Sequence, residues 1–141
     1  ISVLKKALKN KETKIIITER CVFTDYHVFA KMLYDDNKID LIEYSIYQKW
    51  FNDFLEEIPE TNIIYVKTTP ETAYERVLKR NRTGESIPID YLSMCNIYHN
   101  DWLSNSSYNM LELDGNEDII ENTNILNDWI FKIIEFIENV F

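Results

Sequence analysis

The sequence predicts an α/β fold, with a parallel sheet and helices on both sides. Short β-branched runs alternate with longer segments whose apolar residues recur at helical spacing, an alternation typical of parallel strands joined by helices. The runs are nearly continuous in apolar character, as expected for strands buried on both faces; they are Ile15–Thr18, Ile63–Lys67 and Met110–Leu113. A length of 141 residues suits one domain with one core, so we take residues 1–141 as a single domain.

Helical periodicity covers most of the remaining chain. Helices are predicted up to about Lys9, over His27–Tyr34 and over Asp40–Ile58, and then from Pro70, Pro88 and about Glu121. The stripe of Asp40–Ile58, widened by Tyr47 and Phe51, is interpreted as core, and its width also allows packing on a partner subunit. The side chains expected to be buried are Ile39, Ile42, Ile46, Trp50, Phe54 and Ile58 in that helix, Tyr91, Leu92, Cys95, Tyr98 and Trp102 in the next, and Trp129, Ile130, Ile133, Ile134, Ile137 and Val140 in the last.

Composition narrows the class of protein. A formal net charge of −9 argues against a nucleic-acid-binding surface, which needs basic patches. No apolar run is long enough to span a bilayer, so no membrane association is expected. Two cysteines, Cys21 and Cys95, form neither a disulfide framework nor a zinc motif. We therefore expect reduced thiols and a cytoplasmic or other reducing location.

The stretch 68–90 concentrates arginines in an otherwise acidic chain. Thr68 or Thr69 can cap a helix that begins at Pro70. Arg76 and Arg80 are four residues apart and share a helix face, and Arg82 follows near the helix end. A turn is predicted over 83–86. Arginine suits phosphate oxygens, so the segment is either an ordinary solvated face or a loop that closes over a nucleotide.

Four stretches together resemble the deoxynucleoside kinase family. Residues 80–85 (RNRTGE) followed by 87–92 (IPIDYL) are similar to the family lid, R-x-R-x-x-E and then I-P-L-x-Y-L. Residues 19–25 (ERCVFTD) resemble the family's E-R-S-V-Y-S-D. Residues 99–103 (HNDWL) and 116–119 (NEDI) resemble H-x-x-W-L and N-E-D-F. They occur in family order across nearly the whole chain.

The resemblance implies a P-loop-kinase-like fold and transfer of the γ-phosphoryl group of ATP to the 5′-hydroxyl of a deoxynucleoside. It assigns Mg²⁺ binding to Glu19 and contact with the reacting 5′-oxygen region to Arg20. It also implies that Arg76, Arg80 and Arg82 clamp the phosphates, with Arg80 stacking near adenine. Family members commonly form homodimers through a helix at the position of Asp40–Ile58.

Nucleoside and adenine recognition follow from the same resemblance. Asp25 would bind the base edge and Glu85 the sugar 3′-hydroxyl, while Asp118 and Ile119 would lie beside adenine. From the residues alone, Asp25 could equally be a helix cap before His27. The chain departs from the family pattern at Cys21, Phe23, Tyr26 and Ile119, which concerns the choice of nucleoside more than the reaction.

Two family segments are not found in these residues. A phosphate-binding loop, G-x-x-x-x-G-K-[ST], needs two close glycines, and the glycines here are Gly84 and Gly115. The catalytic-base segment E-P-V is also absent. The family places both in its N-terminal half, with a central strand between those matching Ile15–Thr18 and Ile63–Lys67.

Three hypotheses follow from this comparison. The first is the C-terminal portion of a deoxynucleoside kinase, with the N-terminal half missing and these residues inactive alone. The second is a kinase resembling thymidylate kinase. The third is a non-catalytic remnant or dimerisation module.

Overall fold

Two parallel strands organise the part of the chain that the structure describes. The structure is a computed structural model, and it describes residues 2–12, 15–20, 22–56, 58 and 61–140. The elements in chain order are α1 (Ser2–Leu8), α2 (Val22–Thr24), a π-helical turn (Asp25–Ala30), α3 (Lys31–Asp35), α4 (Leu41–Leu55), β1 (Ile63–Lys67), α5 (Pro70–Arg80), α6 (Ile89–Ser104), β2 (Met110–Asp114) and α7 (Thr123–Val140).

The predicted parallel pairing is confirmed for β1 and β2. The strands are in register from Ile63 opposite Met110 to Lys67 opposite Asp114. Helices α5 and α6 make the crossover between them, as a parallel connection requires. Helix α6 packs on one face of the sheet, where His99 stacks on Tyr65 with ring centroids 6.0 Å apart, and α7 packs against β2. The carboxyl ends of both strands therefore meet at one edge, near Lys67 and Asp114.

The prediction of a third strand over Ile15–Thr18 is wrong. These residues are irregular, and Ile17 is 74% exposed. A strand needs a neighbour that completes its hydrogen-bond ladder, and the sheet formed by the described residues contains only β1 and β2. The β-branched composition of this segment favours a strand but cannot supply that neighbour.

The core lies between the helical stretch 22–35, α4 and α6. Tyr26 stacks on Phe51 with centroids 4.1 Å apart, and His27 stacks on Trp102 at 5.0 Å. Such ring pairs contribute about 0.5–1.5 kcal/mol beyond the area they bury. The buried apolar side chains are Phe23, Val28, Ala30, Met32, Tyr44, Phe51, Leu103 and Leu113.

The predicted burial of the α4 stripe is wrong for Ile42, Ile46 and Trp50. Ile42, Ile46 and Trp50 are 70%, 65% and 45% exposed. Phe51, which widens the predicted stripe, is buried as expected, and Tyr44 is buried as well. Periodicity marks an apolar face, but burial also needs an element to cover it. The side chain of Phe54 lies outside the described residues, and Ile39 and Ile58 are half-buried.

The predicted core faces of α6 and α7 are only partly covered. In α6, Tyr91 is exposed, while Leu92, Cys95, Tyr98 and Trp102 are half-buried. Helix α7 has no fully buried residue; Ile130 and Ile134 are exposed, and Trp129, Ile133, Ile137 and Val140 are half-buried. As in α4, these apolar faces have helical periodicity but are not fully covered by other described elements, so their side chains stay partly exposed.

The predicted start of helix α5 is confirmed. Thr69 is the N-cap of α5, where its Oγ1 accepts from the Thr72 backbone N–H at 3.3 Å, and Pro70 opens the helix. Cys95 is a half-buried free thiol, and burial raises its pKa. Cys21 lies outside the described residues. Among the described helices, none is long and apolar enough to cross a membrane.

Candidate active site

The arginine-bearing segment begins as a capped helix and becomes an irregular loop. Helix α5 ends where Asn81 adopts a left-handed backbone conformation with φ of 44°, a common way to stop a helix. The chain from 81 to 88 then has no regular structure. Gly84, at φ +80°, takes a conformation that costs glycine little. The loop predicted over 83–86 is thus confirmed, and we call residues 80–88 the lid.

Arg80 and Glu85 are joined across the lid. Nε of Arg80 donates to Oε2 of Glu85 at 3.0 Å, and Nη2 donates to Oε1 at 2.6 Å. This two-pronged geometry matches the planar guanidinium to the carboxylate. Arg82 is exposed, and its carbonyl accepts from the Glu85 backbone N–H at 3.1 Å. Arg80, which the resemblance assigns to the phosphates, and Glu85, which it assigns to the sugar, therefore form an ion pair with each other in this structure.

Arg76 makes a different set of contacts from Arg80. Its Nη1 donates to the carbonyl of Gly115 at 2.6 Å, and its Nη2 donates to the carbonyls of Asn116 and Glu117 at 3.0 and 3.2 Å. All three acceptors belong to the loop after β2. The sequence placed Arg76 and Arg80 on one face, whereas their side chains engage separate partners.

Backbone and side-chain hydrogen bonds also hold the start of the loop after β2. The Gly115 N–H donates to the Lys67 carbonyl at 2.7 Å. The Asn116 Oδ1 atom accepts from the Thr69 N–H at 2.8 Å. A Cβ at Gly115 would meet Thr68 Oγ1 and would lie 3.0 Å from the Lys67 carbonyl oxygen. Glycine is therefore required by close packing at the end of the sheet.

Asp118 and Ile119 follow directly after this fastened segment. The Asp118 Oδ1 atom accepts from the Ile120 N–H at 2.9 Å, and this bond, with smaller contributions from Lys79 and Arg76, lowers the pKa of Asp118. The carboxylate shapes the turn, while Ile119 is half-buried. The nearby Lys79 Nζ lies 3.8 Å from Glu121 Oε1, with both side chains largely exposed.

Arg20 lies against Phe29 and one face of α6. Its Cζ is 5.3 Å from the centroid of the Phe29 ring, within the range of a cation–π contact. Arg20 has a φ of +56°, which is uncommon for a residue with a side chain. Its charge also acts on His99 and Cys95, which lie one turn apart on α6. Phe29 lies in the segment His27–Tyr34, which was predicted as a helix, and its contact with Arg20 was not predicted.

Asp25 stands inside the π-helical turn and is exposed. The helix begins earlier, at Val22, so the cap interpretation of Asp25 is not supported. Its carboxylate is close enough to Tyr47 to raise the pKa of that phenol, after the larger effect of burial. Short π-helical turns inside α-helices frequently occur at functional sites.

Glu19 is exposed and immediately precedes Arg20. Within the described ranges, no group of three or more His, Cys, Asp or Glu side chains is arranged to hold a metal ion. A lone carboxylate nevertheless fits Mg²⁺, which is usually held by one or two carboxylates together with water and substrate phosphates. Glu19 is one exposed carboxylate of that kind.

An open groove of about 350 Å³ lies at the carboxyl ends of β1 and β2, and its lining includes Thr69, Glu71, Asn96 and Asp114. This is the edge where α/β sheets bind ligands. None of the residues predicted for the site lines it. The groove therefore adds polar surface beside the Arg76 contacts rather than uniting the predicted residues.

Almost the whole chain is similar in sequence to a known protein family. The deoxynucleoside kinase family model matches residues 1–138. The chain belongs to the deoxynucleoside kinase family. Membership brings the P-loop kinase fold, to which the parallel β1–β2 pair and its flanking helices conform.

Individual relatives of this family member agree with that result. A probable deoxycytidine kinase of fowlpox virus is 36% identical over 141 residues, covering 94% of this chain and 60% of the relative. Human deoxycytidine kinase is 32% identical, covering 99% of this chain and 58% of the relative. A mitochondrial deoxyguanosine kinase of Xenopus laevis is 30% identical, covering 74% and 41%. The chain thus spans at most about 60% of the length of these relatives.

Proposed function

We propose that the chain acts, as part of a complete kinase, in ATP-dependent phosphorylation of the 5′-hydroxyl of a deoxynucleoside, a nucleotide-salvage reaction. The observation that carries the proposal is the family match over residues 1–138, because it includes every element bearing the predicted site. The names of the relatives, deoxycytidine and deoxyguanosine kinases, support the same reaction over that of a thymidylate-kinase-like enzyme.

In the proposed reaction, the 5′-oxygen forms a bond to the γ-phosphorus, and the bond from that phosphorus to the β–γ bridging oxygen breaks. The products are a deoxynucleoside monophosphate, ADP and the hydroxyl proton. Phosphoryl transfer depends mainly on positioning and on stabilising charge on the equatorial oxygens. Arg80 and Arg82 on the lid are suited to that second task, and Arg20 to holding the 5′-oxygen region.

Glu19 is the residue we assign to Mg²⁺. In that role Glu19 would hold Mg²⁺, whose positive charge would offset the negative charge of the phosphates during transfer. The phosphate-binding loop and the base that takes the proton are assigned to sequence outside these 141 residues, since neither motif occurs in them.

Substrate recognition is proposed to involve Asp25 at the base and Glu85 at the sugar 3′-hydroxyl. A carboxylate accepts hydrogen bonds from amino and ring N–H groups, and it is left uncompensated when they are missing. We therefore propose a preference for deoxycytidine, deoxyadenosine or deoxyguanosine over thymidine. Asp118 and Ile119 are assigned to the adenine of ATP.

A homodimer through α4 is part of the proposal. The exposed face of Ile42, Ile46 and Trp50 supports it, because contiguous apolar surface of this kind marks interaction sites. The free thiol of Cys95 supports a reducing, cytoplasmic location. A purely dimerising, non-catalytic role is the second candidate that the same α4 face favours.

The test is a substrate panel on the full-length protein with ATP and Mg²⁺, following deoxynucleoside monophosphate formation. Turnover that is lost in the Arg80→Ala protein would support the kinase. A folded, dimeric full-length protein with no transfer to any deoxynucleoside would overturn the catalytic proposal and leave the dimerisation role.

A further inference from the structure

We propose that Arg76 is a positioning residue rather than a phosphate ligand: it fixes the loop 115–118 to helix α5 and thereby governs recognition of the donor nucleobase. This inference rests on the proposed function, because it takes Asp118 and Ile119 to adjoin the base of ATP. It departs from the role that the sequence predicts for Arg76.

The contacts of the guanidinium carry the inference. Both terminal nitrogens of Arg76 are engaged by the carbonyls of Gly115, Asn116 and Glu117, at 2.6, 3.0 and 3.2 Å. Hydrogen bonds from a charged donor are roughly twice as strong as neutral ones. A phosphate oxygen that took these donors would leave three loop carbonyls without their partner.

Arg76 extends the hydrogen bonds that hold the loop after β2; without it they would reach only the first residues of that loop. Gly115 is bonded to Lys67, and Asn116 is bonded through its side chain to Thr69. Beyond them, the Glu117 carbonyl receives its bond from Arg76. Arg76 therefore extends the fixed part of the loop to the residue that precedes Asp118.

The same bonds couple the loop to the lid. Arg80 lies one helical turn beyond Arg76 on α5, so the helix that ends in the lid also holds the proposed base-binding loop. Loosening this connection should weaken binding of the donor base and should leave the transfer step intact. A residue that clamps phosphates in the transition state would instead lower kcat with every donor.

The experiment compares full-length proteins carrying Arg76→Ala, Arg76→Lys and Lys79→Ala. Lysine keeps the charge but cannot reproduce the forked contacts. Lys79 is the matched control, because it is a cation on the same helix whose pair with Glu121, at 3.8 Å, is exposed and contributes little. Backbone amide hydrogen exchange of residues 115–120 is measured without nucleotide, together with kinetics for ATP and for UTP as a second donor.

Both Arg76 variants should exchange these amides at least about tenfold faster, with α6 unchanged, while Lys79→Ala matches the parent. KM for ATP should rise about tenfold, the ATP-to-UTP selectivity should shift, and kcat should change less than about twofold. Unaltered exchange, or an equal fall in kcat with both donors, would overturn the inference. Absence of kinase activity in the parent would refute the proposed function alone, since the exchange result would still report whether Arg76 holds the loop.

Discussion

Arg80 and Glu85 form a two-pronged ion pair across the lid, with N–O distances of 3.0 and 2.6 Å. Their side chains are 42% and 20% exposed. Exposed pairs of this kind contribute about 1 kcal/mol or less, so substrates can separate them at little cost. The pair links Arg80 at the end of α5 to Glu85 in the lid without committing either side chain to a permanent partner.

Removing the lid guanidinium groups should act on the transition state. Arg80→Ala or Arg82→Ala in the full-length kinase is expected to lower kcat by the equivalent of about 2–4 kcal/mol, as for other donors to developing charge. Steady-state kinetics check this, with Lys79→Ala as the charge-matched control on α5. If both variants keep the parental kcat, the assignment of these arginines is wrong.

Glu85→Gln should separate the two roles of Glu85. Losing the ion pair should lower the free energy of unfolding by less than about 1 kcal/mol. KM for the deoxynucleoside should rise, and discrimination against a 3′-deoxy analogue should shrink, since the amide oxygen that replaces the carboxylate accepts the hydrogen bond from the 3′-hydroxyl less strongly. Urea unfolding and kinetics with both nucleosides measure these effects. Unchanged discrimination would remove Glu85 from the sugar site.

The carboxylate of Asp25 should set the choice of base. We expect deoxycytidine, deoxyadenosine or deoxyguanosine to have a higher kcat/KM than thymidine, and Asp25→Asn to reduce that difference by about tenfold or more. A four-nucleoside panel gives the comparison, with the same panel on Glu43→Gln, a carboxylate change on the exposed surface of α4, as control. A strong thymidine preference in the parent protein would contradict the prediction.

Two glycine substitutions should differ in their effect on stability. Gly115→Ala places a Cβ 2.8 Å from Val66 Cγ1 and 3.0 Å from the Lys67 carbonyl oxygen, so it should lower the free energy of unfolding by about 1–3 kcal/mol. Gly84→Ala meets open space in the lid and bears only the backbone cost of positive φ, about 1 kcal/mol. Urea denaturation of the two variants measures the loss of unfolding free energy in each. A smaller loss for Gly115→Ala than for Gly84→Ala would contradict the prediction.

Acidification should weaken the fold through two histidines. Burial lowers the pKa of His27. Burial also lowers the pKa of His99, opposed by its bond to the Cys95 carbonyl and reinforced by Arg20. Because both pKa values are lower in the folded chain, the unfolded state takes up protons first as pH falls through 6.5, the ordinary histidine value. Stability is therefore full above that pH and is lost below it, down to the folded pKa values.

The histidine variants make this measurable. His27→Phe should keep the stack on Trp102 while reducing the loss of unfolding free energy between about pH 7.5 and 5.5, a window centred on the ordinary histidine pKa. Urea unfolding at the two pH values reads the change directly. An identical pH dependence in the parent and variant proteins would show that His27 contributes nothing to it.

Local chemistry in the chain was enough to predict much of the fold. The Thr69 cap and Pro70 start of α5, the lid turn and the strand conformation of β1 and β2 follow from short-range rules that tertiary packing did not override. The family membership followed from four motifs in order, because each motif preserves side-chain chemistry at a particular spacing. These features depend on residues close together in the sequence.

Tertiary structure decided the features that require a partner distant in the sequence. Ile15–Thr18 has strand composition, but no neighbouring strand among the described residues completes its ladder. The α4 stripe has helical periodicity, but Ile42, Ile46 and Trp50 remain exposed. Arg76 and Arg80 are the same residue type on one helix, yet one bonds carbonyls and the other a carboxylate. An arginine fork binds whichever acceptors the fold brings within about 3 Å, and only the folded chain specifies them.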